Sequence, residues 1–133
     1  VGVRSAWTGA RALWVPDELV EAVIGLASPT SVGLASVAAG LGPLPSKAAR
    51  YLRFGGGTRV RAVLAPGLVV DVGVAEHRLV DVGASVTFST ASRTLALDGE
   101  RHLVTSEPPT VTVTPGPRIL DPLIALDGRE ARS

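Results

Sequence analysis

Short apolar segments separated by turn-forming residues make up most of the chain after Pro45, and this spacing is the strongest constraint on its fold. Apolar and polar residues alternate strictly at residues 110–114, a pattern typical of a strand with one buried face. The pair Asp98-Gly99 is a strong hairpin signal between two such segments. Many short strands at this spacing indicate a β-sandwich or a barrel-like structure. The predicted strands are residues 51–54, 60–64, 68–72, 78–82, 85–88, 94–97, 101–104 and 110–114.

Two glycine-containing segments are expected to form turns, one before and one after the predicted strand 60–64. Residues 55–58, Gly-Gly-Gly-Thr, predict a hairpin turn that joins strand 51–54 to strand 60–64. The pair Pro66-Gly67 predicts the turn after strand 60–64, because proline and glycine supply the backbone angles that tight turns need.

One helix is predicted for residues 31–41. Leu34, Val37, Ala38 and Leu41 share one face at helical spacing, so we expect this face to pack on the sheet. The glycines and the proline that follow are typical of a helix end.

The remaining segments complete the predicted organisation. Residues 16–21 begin with proline followed by acidic residues, a helix-start signal, and residues 23–27 fit either a strand or the end of a helix. The fold class predicted is mainly β (α+β), a β-sandwich with one or two helices. Residues 1–133 form a single domain by length, and residues 129–133 are expected to be a disordered tail.

Composition excludes several classes of function. Aromatic residues are 4% of the chain, so the core must be aliphatic. The net charge of +1 and the scattered basic residues do not indicate a basic surface that binds nucleic acid. The chain has no cysteine, which excludes disulfides and a thiolate nucleophile. His77 and His102 lie in predicted strands without a carboxylate pair, so no metal site is predicted. No apolar run is long enough to cross a membrane, and a cytoplasmic location is the default expectation.

The segment Ser28-Pro29-Thr30-Ser31 precedes the predicted helix and has two interpretations. Serine and threonine hydroxyls accept hydrogen bonds from the first N–H groups of a helix, so the segment suits a helix cap. A helix start built from small residues also leaves N–H groups that can receive an anion or a nucleotide. The sequence leaves both interpretations open.

Several motifs in order resemble one family. Residues 28–40 are similar to the Thr-Pro-Thr-Gly stretch of NAD kinases. The closer resemblance is to the ATP-NAD kinase-like branch that includes acetoin catabolism protein X. That similarity includes Gly-Ala-Arg-Ala-Leu-Trp at 9–14, Val-Gly-Leu-Ala-Ser at 32–36, Leu-Ala-Pro-Gly-Leu-Val at 64–69 and Leu-Asp-Gly-Glu-Arg at 97–101.

The resemblance implies that this chain is the C-terminal domain of a two-domain kinase-like protein with a β-sandwich similar to that of NAD kinases. The implied reaction is ATP-dependent phosphorylation of NAD, with Mg²⁺, and such chemistry works by positioning and charge neutralisation. An N-terminal nucleotide-binding domain is the expected partner, together with further copies of the chain in a homo-oligomer. No catalytic residue is predicted here, since the phosphate-handling Gly-Gly-Asp-Gly loop of the family is absent from the sequence. The residues carried over as nucleotide contacts are Ser28, Thr30, Ser31, Gly33, Leu34, Pro66 and Gly67.

The sequence also suggests two alternatives to this function. Residues 63–72 and 80–83 resemble a biotinyl/lipoyl-type barrel, but such carriers need a lysine on an exposed hairpin, and the sole lysine, Lys47, precedes both segments. The other alternative is a non-catalytic β-rich interaction or oligomerisation module. An exposed aliphatic face able to self-associate would favour that module.

Overall fold

Antiparallel strands in two sheets, with one short helix, form the architecture of this protein. The structure is a computed structural model and describes residues 5–8, 20–89, 94–98, 101–104, 107–115, 120–123 and 131–132. The elements are β1 (Ser5–Thr8), β2 (Glu21–Ile24), α1 (Leu34–Gly40), β3 (Ala48–Ala65), β4 (Leu68–Asp81), β5 (Ser85–Thr87), β6 (Thr94–Leu97), β7 (Arg101–Val104), β8 (Thr110–Val113), β9 (Leu120–Leu123) and β10 (Ala131–Arg132). The mainly β, α+β fold class is confirmed.

The larger sheet has seven strands in the order β10-β7-β6-β1-β2-β3-β4, and the smaller has three in the order β5-β8-β9. Every described strand pair is antiparallel. The predicted hairpin at Asp98-Gly99 is confirmed by the pairing of β6 with β7, which brings Thr94 opposite Val104. Asp98 itself has a positive φ of 52°, as a tight turn requires.

Two aliphatic cores lie on opposite faces of the larger sheet. Successive side chains of a strand point to opposite faces, so Val23 belongs to one core while its neighbours Ala22 and Ile24 belong to the other. The inter-sheet core lies between the two sheets and includes Val86, Phe88, Val111 and Val113 next to residues of the larger sheet. The helix core lies under α1 and includes Leu34, Val37, Ala38, Leu52, Phe54, Val60, Ala62, Val72 and Val74.

The glycine segment 55–58 is a bulge within one strand, and the predicted hairpin turn there is wrong. Phe54 and Thr58 both align with Val74 of β4, so the chain loops out between them and then continues in the same direction. Gly55 and Gly57 have φ values of 139° and 92°, which other residues rarely adopt. Local sequence resembles a turn, but β4 runs alongside both halves of β3 and holds them in one strand.

The hairpin turn lies at Pro66-Gly67, where the sequence also predicts one, and it joins β3 to β4. The segments predicted as separate strands at 68–72 and 78–82 belong to the continuous β4. Residues 23–27, left open between strand and helix, contribute to β2 and the loop after it.

Helix α1 begins later than predicted. Its N-cap is Gly33, with φ 78°, and no side chain caps it. Of the two interpretations left open for residues 28–31, the structure does not show the helix cap, because Ser28, Thr30 and Ser31 form a turn of their own upstream of the helix. The predicted apolar face is confirmed, since Leu34, Val37 and Ala38 are buried and Leu41 packs against them.

Other predictions fall partly outside the described residues. The helix-start signal at 16–19 lies outside them, and Glu21 opens β2. Within the tail predicted as disordered, Ala131 and Arg132 pair with β7. No helix among the described residues is both long enough and apolar enough to cross a membrane.

Candidate functional site

The serine- and threonine-rich segment forms a closed turn on the surface. The backbone N–H of Ser31 donates to the carbonyl of Ser28 at 3.0 Å, and the N–H of Ser28 donates to the Ser31 hydroxyl at 2.8 Å. The hydroxyls of Ser28 and Thr30 are 3.1 Å apart. Hydrogen bonds of this local kind favour a turn over continued helix. The turn holds three hydroxyl groups together beside the start of α1.

The helix start is attached to strand β3. The N–H of Gly33 donates to the carbonyl of Val63 at 2.7 Å, and the N–H of Val63 donates to the Ser36 hydroxyl at 2.8 Å. These bonds place Gly33 close to the end of the β3–β4 hairpin, where Pro66 and Gly67 form the turn. Two groups of predicted contacts are thus brought near each other: Gly33 at the helix start, and Pro66 and Gly67 at the hairpin turn.

A cavity of about 360 Å³ lies between the loop after β2 and the loop after α1. That volume is in the range of small-ligand sites, roughly 300–1,000 Å³. Its lining residues are Ala27, Ser28, Pro29, Ala39, Gly42, Pro43 and Leu44. Among the predicted contacts, Ser28 lines this cavity, while Thr30, Ser31, Gly33, Leu34, Pro66 and Gly67 do not.

Leu34 is the predicted contact with the least access to a ligand. Its side chain is buried in the helix core, so only its backbone could meet a ligand. Thr30, Pro66 and Gly67 are exposed, and nothing lies within 4 Å of where a Cβ on Gly33 or Gly67 would be. The open space at these two glycines leaves room for close approach to the backbone.

Arg50 is a buried cation that sequence reasoning missed; it does not line the cavity itself, but it contacts two residues that do. It is 5% exposed, and its Nη2 donates to the carbonyls of Gly42 and Pro43 at 3.2 and 3.1 Å. Its Nε is buried and has no hydrogen-bond partner in the described part of the chain, and burial lowers the pKa of the guanidinium. The sequence did contain a signal for this burial. Arg50 stands two and four residues before Leu52 and Phe54, and alternate residues of a strand share a face, so Arg50 lies on the same buried face.

Glu21 is a second buried charged residue, on the opposite face of the sheet. It is 1% exposed; one carboxylate oxygen accepts from the Tyr51 hydroxyl and the other from the N–H and hydroxyl of Ser89, at 2.8 and 3.1 Å. Burial raises the pKa of Tyr51, and so do its hydrogen bond to Glu21 and the charge of that carboxylate. Arg78 lies over the Tyr51 ring, 4.6 Å from its centre.

The other residues considered for chemistry lie at the surface or outside the described part. His77 is exposed on β4, and Asp71 is ion-paired with Arg61 at 3.5 Å, both exposed. The side chain of His102 lies outside the described residues. In the described part of the chain, no group of three histidine or carboxylate side chains could hold a metal ion.

Fold and cavity together define a small antiparallel β domain with a candidate ligand site beside its single described helix. The chain belongs to the Acetoin catabolism protein X C-terminal domain family, which it matches over residues 1–118. It is 35% identical over 112 residues to Acetoin catabolism protein X of Cupriavidus necator. That alignment covers 80% of this chain and 31% of the relative, so the chain spans about a third of the relative's length. No solved structure matches the chain.

Proposed function

We propose that this domain binds the nucleotide substrate of an ATP-NAD kinase-like phosphotransferase that acts in acetoin catabolism in the cytoplasm. The observation that carries the proposal is the cavity beside the turn 28–31, which Ser28 and Pro29 line. The substrate is NAD or a related nucleotide. The name of the Cupriavidus relative supports the link to acetoin.

The phosphate-transfer machinery is assigned to an N-terminal domain. The described residues contain no cluster of ligands suited to Mg²⁺, so the residues present do not fit the metal, and its binding belongs to that N-terminal domain in this proposal. The chain's own part is to hold a substrate. Hydroxyls at Ser28 and Thr30 offer hydrogen bonds to a ribose, and the apolar lining accommodates a base.

Ligand-observed NMR of the 133-residue chain with NAD, NADP and ATP tests this proposal. We expect saturation transfer to the adenine protons of NAD, and we expect competition by NADP. Thr30→Trp should abolish the transfer, because it replaces the hydroxyl that bonds to Ser28 with a large ring at the turn. Ala84→Trp, at an exposed turn elsewhere, is the matched control and should leave it intact. Absence of transfer from all three nucleotides to a folded chain would refute the proposal.

Self-association is the second candidate function, and one observation favours it. Strand β4 is the outermost strand of the larger sheet in the described part of the chain, and its Leu68 and Val69 are 50% and 49% exposed. A long edge strand with free backbone groups can pair with a second copy of itself. Sedimentation of the chain and of Val69→Lys tests this: a dimer that the substitution dissociates supports the module, and a monomer at all concentrations refutes it.

A further inference from the structure

Residues 76–82 form a regular stretch along the outer edge of the larger sheet. Strand β4 is the outermost strand of that sheet in the described part of the chain, and β3 is its only strand partner there. Residues 76–81 pair with β3 one by one, and the N–H of Val82 continues the ladder by donating to the carbonyl of Lys47 at 3.1 Å. The stretch begins after Ala75, which the register between β3 and β4 skips. On its other side, the stretch has no strand partner among the described residues.

Every second residue of this stretch directs its backbone groups to the open side. In an antiparallel sheet, alternate residues of a strand bond to the strands on its two sides. Since the N–H of Val82 bonds to Lys47, the residues in phase with it at 76, 78 and 80 also face β3. The backbone N–H and C=O groups of His77, Leu79 and Asp81 therefore point away from β3.

A hydrogen bond on the other side of β3 gives the same direction. The N–H of Phe54 donates to the carbonyl of Val20 at 2.9 Å, so Phe54 and Leu52, which is in phase with it, face β2. His77 lies opposite Leu52, so the two exchange no backbone bonds and the groups of His77 point to the open side.

Exposed apolar side chains accompany these outward backbone groups. Leu79 is 46% exposed and Val82 is 38% exposed. The carbonyl of Asp81 accepts from the N–H of Ala84 at 2.9 Å, whereas the outward groups of His77 and Leu79 bond to no other described backbone. An apolar side chain beside unpaired backbone groups favours pairing with another strand.

The charges along the stretch limit how a second copy can pair with it. Two copies related by a twofold axis pair antiparallel, and the position of the axis fixes which residues lie opposite each other. An axis at Glu76 or Arg78 sets that residue opposite its own copy, and like charges directly opposite each other are destabilising. An axis at His77 carries the pairing past the end of the regular stretch. Leu79 is the midpoint of residues 76–82, so an axis there pairs the whole stretch with itself.

We propose that two copies of this chain pair antiparallel along residues 76–82, about a twofold axis at Leu79. The two Leu79 side chains then cover each other, and His77 of each copy lies opposite Asp81 of the other, an imidazole facing a carboxylate. The larger sheet continues across both copies. The inference rests on self-association, the second candidate function, and adds the contact segment and its register.

A single cysteine tests the register, since the chain has none of its own. The cysteine of Leu79→Cys lies opposite its own copy, and hydrogen-bonded pairs of this kind have Cα atoms about 5.5 Å apart, within the range of a disulfide. Copper-catalysed air oxidation should therefore link most of the chain into a dimer on a non-reducing gel. Leu26→Cys, at an exposed loop position, is the matched control and should stay unlinked. Faster linking by His77→Cys than by Leu79→Cys overturns the register.

Sedimentation of lysine variants gives a second measurement. Leu79→Lys should weaken the dimer by about tenfold or more, because two ammonium groups then meet at the axis in place of an apolar contact. Leu26→Lys changes a leucine of similar exposure and should leave the dimer intact. Equal weakening by both variants overturns the contact.

Exchanging the flanking pair gives a third measurement. His77→Asp sets two carboxylates opposite each other at both ends of the contact and should weaken the dimer. Adding Asp81→His exchanges the two side chains and should restore it. A double variant as weak as His77→Asp alone contradicts the pairing of residue 77 with residue 81.

The inference and self-association itself fail separately. A dimer that Val69→Lys dissociates and Leu79→Lys leaves intact overturns this contact and leaves self-association standing. A monomer at all concentrations refutes both, and nucleotide binding is measured independently of either result.

Discussion

Two charged side chains, Glu21 and Arg50, are buried on opposite faces of the same sheet, and their partners differ. The carboxylate of Glu21 accepts three hydrogen bonds, from Tyr51 and Ser89. These bonds satisfy both of its oxygens and give it a structural role between the sheets. Arg50 has two carbonyl partners, and its buried Nε has no hydrogen-bond partner among the described residues.

Replacing Glu21 with alanine should lower the free energy of unfolding by about 3 kcal/mol, because the buried Tyr51 hydroxyl would be left unpaired and the Ser89 N–H would lose its acceptor. Urea denaturation measures this change. Glu76→Ala removes a half-exposed glutamate paired with Arg53 and should cost less than about 1 kcal/mol. Equal costs for the two variants would contradict the structural role of Glu21.

Tyr51 is the only tyrosine, so its ionisation can be followed by ultraviolet absorbance. Burial and the contact with Glu21 raise its pKa above the ordinary value of 10.0. Above pH 10 the unfolded chain loses this proton while the folded chain keeps it, so stability should fall as pH rises.

Glu21→Gln removes the neighbouring charge, so Tyr51 should ionise at lower pH in the variant. Tyrosinate absorbance that appears near pH 10 in the folded unaltered chain would contradict the raised pKa. Urea denaturation at pH 8 and at higher pH checks the fall in stability.

The β3–β4 pair is the longest ladder among the described strands, and the glycine bulge is its main irregularity. The bulge depends on a glycine of the facing strand as well as on its own glycines. A Cβ on Gly73 would lie 1.9 Å from the carbonyl oxygen of Gly55, so the looped-out backbone occupies the space that a side chain would need. The bulge and Gly73 therefore form one structural unit across two strands.

Gly73→Ala should destabilise the protein by about 3 kcal/mol, because the new methyl group collides with backbone that cannot move aside cheaply. Gly56→Ala is the matched control, since nothing lies within 4 Å of its Cβ position. We expect its effect to stay within about 1 kcal/mol. Chemical denaturation of both variants measures the difference. A loss of stability in Gly56→Ala that exceeds the loss in Gly73→Ala would contradict the close contact between Gly73 and the bulge.

At the scale of the whole molecule, the larger sheet contributes side chains from its two faces to two separate cores. The smaller sheet covers one face through Phe88, Val86, Val111 and Val113, while α1 covers the other. Backbone bonds also join the layers; for example, the N–H of Gly83 donates to the carbonyl of Val113 at 2.8 Å. Each core has its own covering layer. A destabilising substitution in one layer should therefore increase local unfolding of that layer more than of the other.

Phe88→Ala should lower the free energy of unfolding by about 3–5 kcal/mol, since Phe88 is fully buried between the sheets. Amide hydrogen exchange should accelerate more in β8 than in α1. Val37→Ala, in the helix core, should produce the opposite pattern. Uniform acceleration through both layers by either variant would show that the layers open as a single unit.

Local sequence determined the strand-rich character of the chain, the turns at Pro66-Gly67 and Asp98-Gly99, and the buried face of α1. These features depend on neighbours within a few residues, since alternation, helical spacing and turn residues act over that distance. The family resemblance to acetoin catabolism protein X was also recognisable from ordered motifs, and the family match bears it out. Nucleotide binding and the NAD kinase-like reaction remain proposals.

Only the tertiary structure decided which of these local signals were overridden. The glycines at 55–57 became a bulge because β4 lies along both sides of them, and the hydroxyls at 28–31 became a separate turn because Gly33 bonds to Val63 of a distant strand. The buried guanidinium of Arg50 donates to the carbonyls of Gly42 and Pro43 in the loop after α1. The physical reason is the same in each case: contacts between residues far apart in the chain set the burial and pairing of a backbone segment, and local periodicity does not encode them.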